Sequence, residues 1–211
     1  MALTQSLSLD LRRPLPRLLT AVLFFSLTVS FFSWAMVTLQ GRQGNVFADP
    51  LLSFWRPVPL SLPIFTLTWG TVVLSVLALV RDVPRLTQLA VAYSLLELMR
   101  VASIWLVPLE PPPSMILLND PINDVMIFDA IVTKDLFFSG HVSAIWLLSC
   151  YFSQPWRTVV RCNAITVAAL LLAQHVHYSI DVAAAPIFAM VAYRAGVAWA
   201  AFWDRKNSPS V

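Results

Sequence analysis

Charge is what this sequence has least of. Only 12% of its 211 residues are Asp, Glu, Lys or Arg, about half the roughly 25% usual in a soluble domain. With 58% hydrophobic residues, too little polar surface remains to cover a water-facing fold, and an integral membrane protein is indicated instead. Glycine is scarce, at five residues, which excludes a Gly-rich low-complexity chain. The two cysteines, Cys150 and Cys162, are too few and too far apart for a disulfide framework or a metal site, and are expected as free thiols. The net charge is +3, but the basic residues form no run and have no interleaved aromatics, so nucleic acid is not an expected partner. Histidine is also scarce: His141, His175 and His177 are all there are.

Long apolar runs are what the chain has in abundance. A helical span needs about twenty apolar residues. Leu18–Leu39, Leu60–Val80 and Leu86–Val107 each qualify, and Leu136–Phe152 is expected as a fourth span. Val159–Phe202 is too long for one crossing and is expected to turn at the polar cluster Gln174–Asp181, giving a fifth and a sixth. The fold class is therefore all-α, a polytopic membrane protein with six transmembrane helices. A cleaved signal peptide over the first span is the alternative, but its apolar stretch exceeds the 7–15 residues typical of a signal core.

Lys/Arg bias sets the expected orientation. With the amino terminus inside, the cytosolic side holds Arg12, Arg13, Arg17, Arg81, Arg85, Arg157, Arg161, Arg205 and Lys206, with Arg194 on the inner half of span six. The other side holds Arg42, Arg56, Arg100 and Lys134. Ten against four predicts both termini in the cytosol. The organisation is a cytosolic segment 1–17, a membrane domain 18–203 and a cytosolic tail 204–211. The long connection from Pro108 to Asp135 would then be exoplasmic, and its length and apolar pieces suggest a lid over the interface.

Ionisable groups inside apolar segments are expensive and usually functional. His177 and Asp181 are four apart and share one helical face. A carboxylate there can hold the Nδ1–H of the imidazole and leave Nε2 as a nucleophile. His141 supplies a second imidazole with an acid–base range suited to neutral pH. Arg100 offers a forked donor set to a phosphate, and its alternative is a neutralised couple with Glu97, three residues earlier. Together these groups suit phosphoryl or phosphodiester transfer without a metal or other cofactor, on the exoplasmic face. A His₂Asp zinc site from His141, His177 and Asp181 is the competing chemistry.

The strings Asp135-Leu-Phe-Phe-Ser-Gly-His141 and His177-Tyr-Ser-Ile-Asp181-Val182 resemble the signature motifs of the sphingomyelin synthase family, a branch of the type 2 phosphatidic acid phosphatase superfamily. Arg100, shortly before Pro108, resembles that family's arginine-bearing motif, and Pro14-Leu15-Pro16 loosely resembles its amino-terminal one, with Arg17 where an acid is expected. The resemblance implies that His177 forms a phosphohistidine, that Asp181 orients it, and that His141 protonates the departing lipid alkoxide and then activates the acceptor. Ser139, Gly140 and Tyr178, within the same motifs, are expected beside the substrate with Arg100. Asp135 and His175 are expected in supporting roles.

Ordinary phosphatases of the superfamily carry a Lys-x₆-Arg-Pro string and an arginine that this chain replaces with Leu171. The expected function is thus a lipid phosphotransferase moving a phosphate-bearing headgroup from a phospholipid to a lipid alcohol, ceramide or diacylglycerol. A phospholipase C-type hydrolase using water is the alternative in the same fold. A catalytically silent scaffold is the third reading, and the intact His141, His177 and Asp181 oppose it.

Overall fold

The protein is described from a computed structural model over residues 15–119 and 132–207. Among these residues the structure is helical without strands: α1 (Leu15–Leu39), a single 3₁₀ turn (Leu51–Phe54), α2 (Ser61–Leu79), α3 (Val83–Leu106), α4 (Gly140–Ser149), α5 (Trp156–Ala173) and α6 (Ser179–Asn207). Five of these helices, all but α4, are long and apolar enough to cross a membrane. Several are apolar on their outer faces as well, as a span in lipid must be: Leu19, Leu23 and Leu27 of α1 and Leu62, Leu74 and Leu77 of α2 are exposed.

Helix boundaries follow local chemistry. The side chain of Asp82 accepts the Arg85 amide at the start of α3, and Pro84 occupies its first turn, where a missing N–H costs nothing. Ser139 caps α4 through the amide of Val142. The predicted break in the last apolar stretch falls where expected, with α5 ending at Ala173 and α6 starting at Ser179.

The fourth expected span, Leu136–Phe152, is instead the ten-residue helix α4. At 1.5 Å per residue it extends about 15 Å, half of the roughly 30 Å hydrocarbon core. Seven of its residues are buried, including Gly140, Val142, Ile145 and Leu147. It is a core helix inside the bundle, packed on α5 and α6. Elsewhere α1 packs on α3 and α3 on α6. The α3–α6 contact uses small residues: a Cβ added to Gly196 would lie 2.9 Å from the Cβ of Ala92. Close approach of this kind is how helices associate where lipid removes the hydrophobic drive.

Hydrogen bonds sort the connections into two ends. Val58 N–H donates to the Ala173 carbonyl, Asn45 N–H to that of Pro108, and Ser139 N–H to that of Asp181. The first connection, the end of α3, the start of α4 and the α5–α6 turn therefore meet at one end. At the opposite end Arg17 Nη1 lies 2.9 Å from Asp204 Oδ1, and Arg161 Nε donates to Ser149 Oγ.

Candidate active site

Asp181 is the centre of the meeting end. It is completely buried, and its carboxylate accepts three donors. His177 Nδ1 lies 3.2 Å from Oδ2, the Tyr178 amide 3.0 Å from the same oxygen, and the Phe137 amide 3.2 Å from Oδ1. Its own carbonyl accepts the Ser139 amide at 3.1 Å. One residue thus fixes the imidazole of its own segment and joins that segment to the one carrying His141. The four-residue separation is as read from the sequence, but the shared helical face is not: His177 lies in the turn before α6 and Asp181 in its first turn, and the contacts between the two segments come from tertiary packing.

The segment before α4 is strained where it meets Asp181. Phe137 has φ of 93°, a conformation costing a side-chain-bearing residue of order 1–3 kcal/mol. The Asp181 carboxylate and the ring of Phe188, which stacks on Phe138 at 4.2 Å, hold the segment in place. His141 follows at the start of α4, half-buried, two residues beyond the Ser139–Asp181 bond.

Arg100 reaches the same place from α3. Its Nη1 pairs with Glu97 at 2.7 Å, its Nη2 pairs with Asp135, and its guanidinium lies 4.7 Å from the centre of the Phe32 ring. The couple with Glu97 left open by the sequence is therefore present, with Asp135 as an additional partner. Gly140 lies directly against this guanidinium: an added Cβ would be 2.4 Å from Cζ. A side chain there would displace the ion pairs, so glycine lets the motif touch Arg100.

Tyr178, expected beside substrate, is buried, and its hydroxyl donates to the Glu110 carbonyl at 2.9 Å while accepting the Phe47 amide at 3.3 Å. Burial raises its ionisation above the usual phenol range. His175, expected in a supporting place, is turned away from Asp181: it shares a 2.6 Å hydrogen bond through Nδ1 with Ser114 Oγ. Burial lowers its basicity, against an opposing pull from Asp49.

Four positioning residues escaped sequence reasoning. Asp49 accepts the Ser179 amide at the start of α6; burial raises its carboxyl pKa, and hydrogen bonds from Ser179 and Leu51 more than reverse that and hold it low. Gln174 accepts the Leu60 amide through Oε1 and donates Nε2 to Ser61 and to the carbonyls of Ile116 and Leu117. Glu110 accepts from Lys134 Nζ and the Gly44 amide, both at 2.8 Å, and these two bonds lower its pKa. Gly44 permits that contact, since a Cβ would meet the Leu109 carbonyl carbon at 2.7 Å. Glu110 sits among other loop acids in sequence, and Asp49, the one acid between Leu39 and Leu60, has no partner at a distinguishing spacing; the signal that could have been used was Gln174, polar within an apolar run. The expected lid is ordered over its first part, where Ile116 N–H donates to the Gln174 carbonyl. Its stretch 120–131 lies outside the described residues.

An all-helical bundle with several membrane-length helices and two histidine strings joined at a buried aspartate defines a membrane protein with an enzyme-like polar centre. Residues 134–196, which hold both strings, match the family model described as PAP2 superfamily C-terminal. That match spans less than a third of the chain and supports kinship with a superfamily whose members are generally of phosphatase or phosphotransferase type. No curated protein matches the chain.

Proposed function

We propose that the protein is a sphingomyelin-synthase-like lipid phosphotransferase that works through a phosphohistidine on His177. The observation that carries this reading is the Asp181 carboxylate on His177 Nδ1, which leaves Nε2 as the nucleophilic nitrogen. Nε2 attacks the phosphorus of a phospholipid headgroup as the bond to the glycerol oxygen breaks. His141 gives its proton to that departing oxygen, then removes one from the incoming hydroxyl, which takes the phosphoryl group from His177. A phosphodiester carries one negative charge, as Asp135 does. In this reading the headgroup takes the place of Asp135 on Arg100, and the Asp135 side chain, already 21% exposed, turns to solvent. Ser139 and Gly140 present the start of α4 to the phosphate.

The same proposal places six passes in the membrane, α4 with its flanking residues forming the short one. An even number agrees with the Arg17–Asp204 pair, which brings both ends of the described chain together. The Lys/Arg bias puts the histidine end on the exoplasmic side.

The test is to incubate purified protein with headgroup-labelled phosphatidylcholine or phosphatidylethanolamine, with ceramide, diacylglycerol or neither. Label passing to an added lipid alcohol supports transfer. Water-soluble label released without an acceptor makes it the hydrolase. A covalent phosphate on His141 instead of His177 would reverse the histidine roles, and chelator inhibition restored by zinc would replace this scheme with metal chemistry.

A further inference from the structure

The end of the bundle opposite the histidines holds a cavity of about 270 Å³, near the lower bound of roughly 300 Å³ for ligand sites. It opens between the start of α3, the α4–α5 turn and the body of α6, and is lined by Arg85, Gln88, Tyr151, Ser153, Arg157 and Tyr193 among others. Among the described residues no acidic side chain lines it. Arg157 donates Nε to the Phe152 carbonyl at 2.9 Å, which fixes the guanidinium at the wall and leaves its terminal amino groups for another acceptor. Arg85 is tethered through Nε to Asp82 at 3.2 Å.

A second observation points to an occupant. Tyr151 is 7% exposed, and among the described residues its buried hydroxyl has no hydrogen-bond partner. Its ring is held edge-on to Tyr193, 5.4 Å between centroids, so the hydroxyl is fixed rather than free to seek water. A buried donor in native structure ordinarily has a partner. A ligand oxygen in the cavity would satisfy the hydroxyl, and an anionic one would also meet the two arginines.

We infer that this cavity binds the phosphate of a phosphate-bearing ligand, at a site separate from the histidine centre. The lipid headgroup is the source that fits the surroundings. Val83 and Trp156, each a residue or two from a lining arginine, are exposed apolar side chains at this end of membrane-length helices. They offer acyl chains a path while the guanidinium forks hold the phosphate. The volume suits a headgroup and excludes a whole lipid.

The test uses full-length protein carrying 3-fluorotyrosine, with a His177→Ala exchange so that no ligand is turned over. Its four tyrosines give four fluorine lines; the Tyr151 line is identified by its loss in Tyr151→Phe. Dioctanoyl phosphatidic acid should move the Tyr151 line, and dioctanoylglycerol should not. Arg157→Gln and Arg85→Gln should each weaken that response roughly tenfold, while Arg157→Lys, which keeps the charge, should retain more of it. A full response to inorganic phosphate alone assigns the site to the free anion. A Tyr151 line unmoved by both phosphates, or moved as much by dioctanoylglycerol, overturns the inference. Movement confined to the Tyr178 line would also overturn it, because that tyrosine reports the histidine centre.

Discussion

The two ends of the bundle are built from the same kinds of helix turn yet differ in what they do with polar groups. At the histidine end, carboxylates act as knots. Asp181 ties the α5–α6 turn to the start of α4, Asp49 ties the first connection to α6, and Glu110 ties the loop after α3 to Gly44 and Lys134. At the opposite end the basic residues outnumber the acids, an ion pair joins Arg17 to Asp204, and among the described residues a tyrosine hydroxyl is left buried without a partner. A closed network gives fixed geometry, which catalysis needs. An open basic cavity gives vacancies, which binding needs.

The largest expected effect is the loss of the proposed nucleophile. His177→Ala should reduce headgroup transfer or release by at least about a thousandfold while leaving the thermal midpoint in detergent within a few degrees of the parent. Residual activity within tenfold of the parent would move the chemistry off this end of the bundle.

Next comes the knot itself. Asp181→Asn keeps the shape and one acceptor oxygen, but its NH2 must face either the Phe137 amide or the Tyr178 amide and the His177 ring. Each buried donor left unmade costs about 1–3 kcal/mol, so the exchange should lower stability as well as activity, seen as a lower midpoint in detergent. Loss of activity with an unchanged midpoint would mean that Asp181 orients His177 and joins nothing.

Smaller effects should come from the two close-approach glycines. Gly140→Ala forces the Arg100 guanidinium away from Glu97 and Asp135, and Gly44→Ala pushes the backbone of residues 108–110. Overpacking of this kind costs about 1–3 kcal/mol. Gly140→Ala should impair activity more than Gly44→Ala, because only the former displaces groups beside the histidine strings; assays of both variants at equal folded concentration test the order.

The smallest expected effect is on pH dependence. Burial depresses the basicity of His175 below its ordinary value of 6.5. A depressed group contributes stability that is fully present above the unfolded value and is lost as pH falls through it toward the folded one. The thermal midpoint should therefore drop below about pH 6.5, and His175→Asn should flatten that drop. Asparagine tolerates the left-handed backbone of this position, φ 59°. An acid limb unchanged by the exchange would show that His175 titrates normally.

How much of this was legible in the sequence differs element by element. Apolar runs of twenty residues marked α1, α2 and α3 within a few positions, and Gln174–Asp181 marked the turn between α5 and α6, because burial in lipid imposes a length and a polarity that composition records. The closeness of His177 and Asp181 was legible as a four-residue separation but its form was not: His177 stands in the turn before α6 and Asp181 in the first turn of that helix, so the contact closes a turn and does not lie along one helical face. The run Leu136–Phe152 was legible as dry but not in its helical length: only Gly140–Ser149 is helix, because apolar content does not record where a helix begins and ends.

The sequence by itself therefore determined a helical membrane protein with two histidine strings, since periodicity and hydropathy are local. Only the tertiary structure decided that Asp181 joins those strings, that Arg100 is answered by two carboxylates, that Tyr178 is a tether, and that the far end holds a basic cavity. Each of these depends on which side chains meet across tens of residues, and long-range contact is set by how the helices pack rather than by any local pattern in the chain.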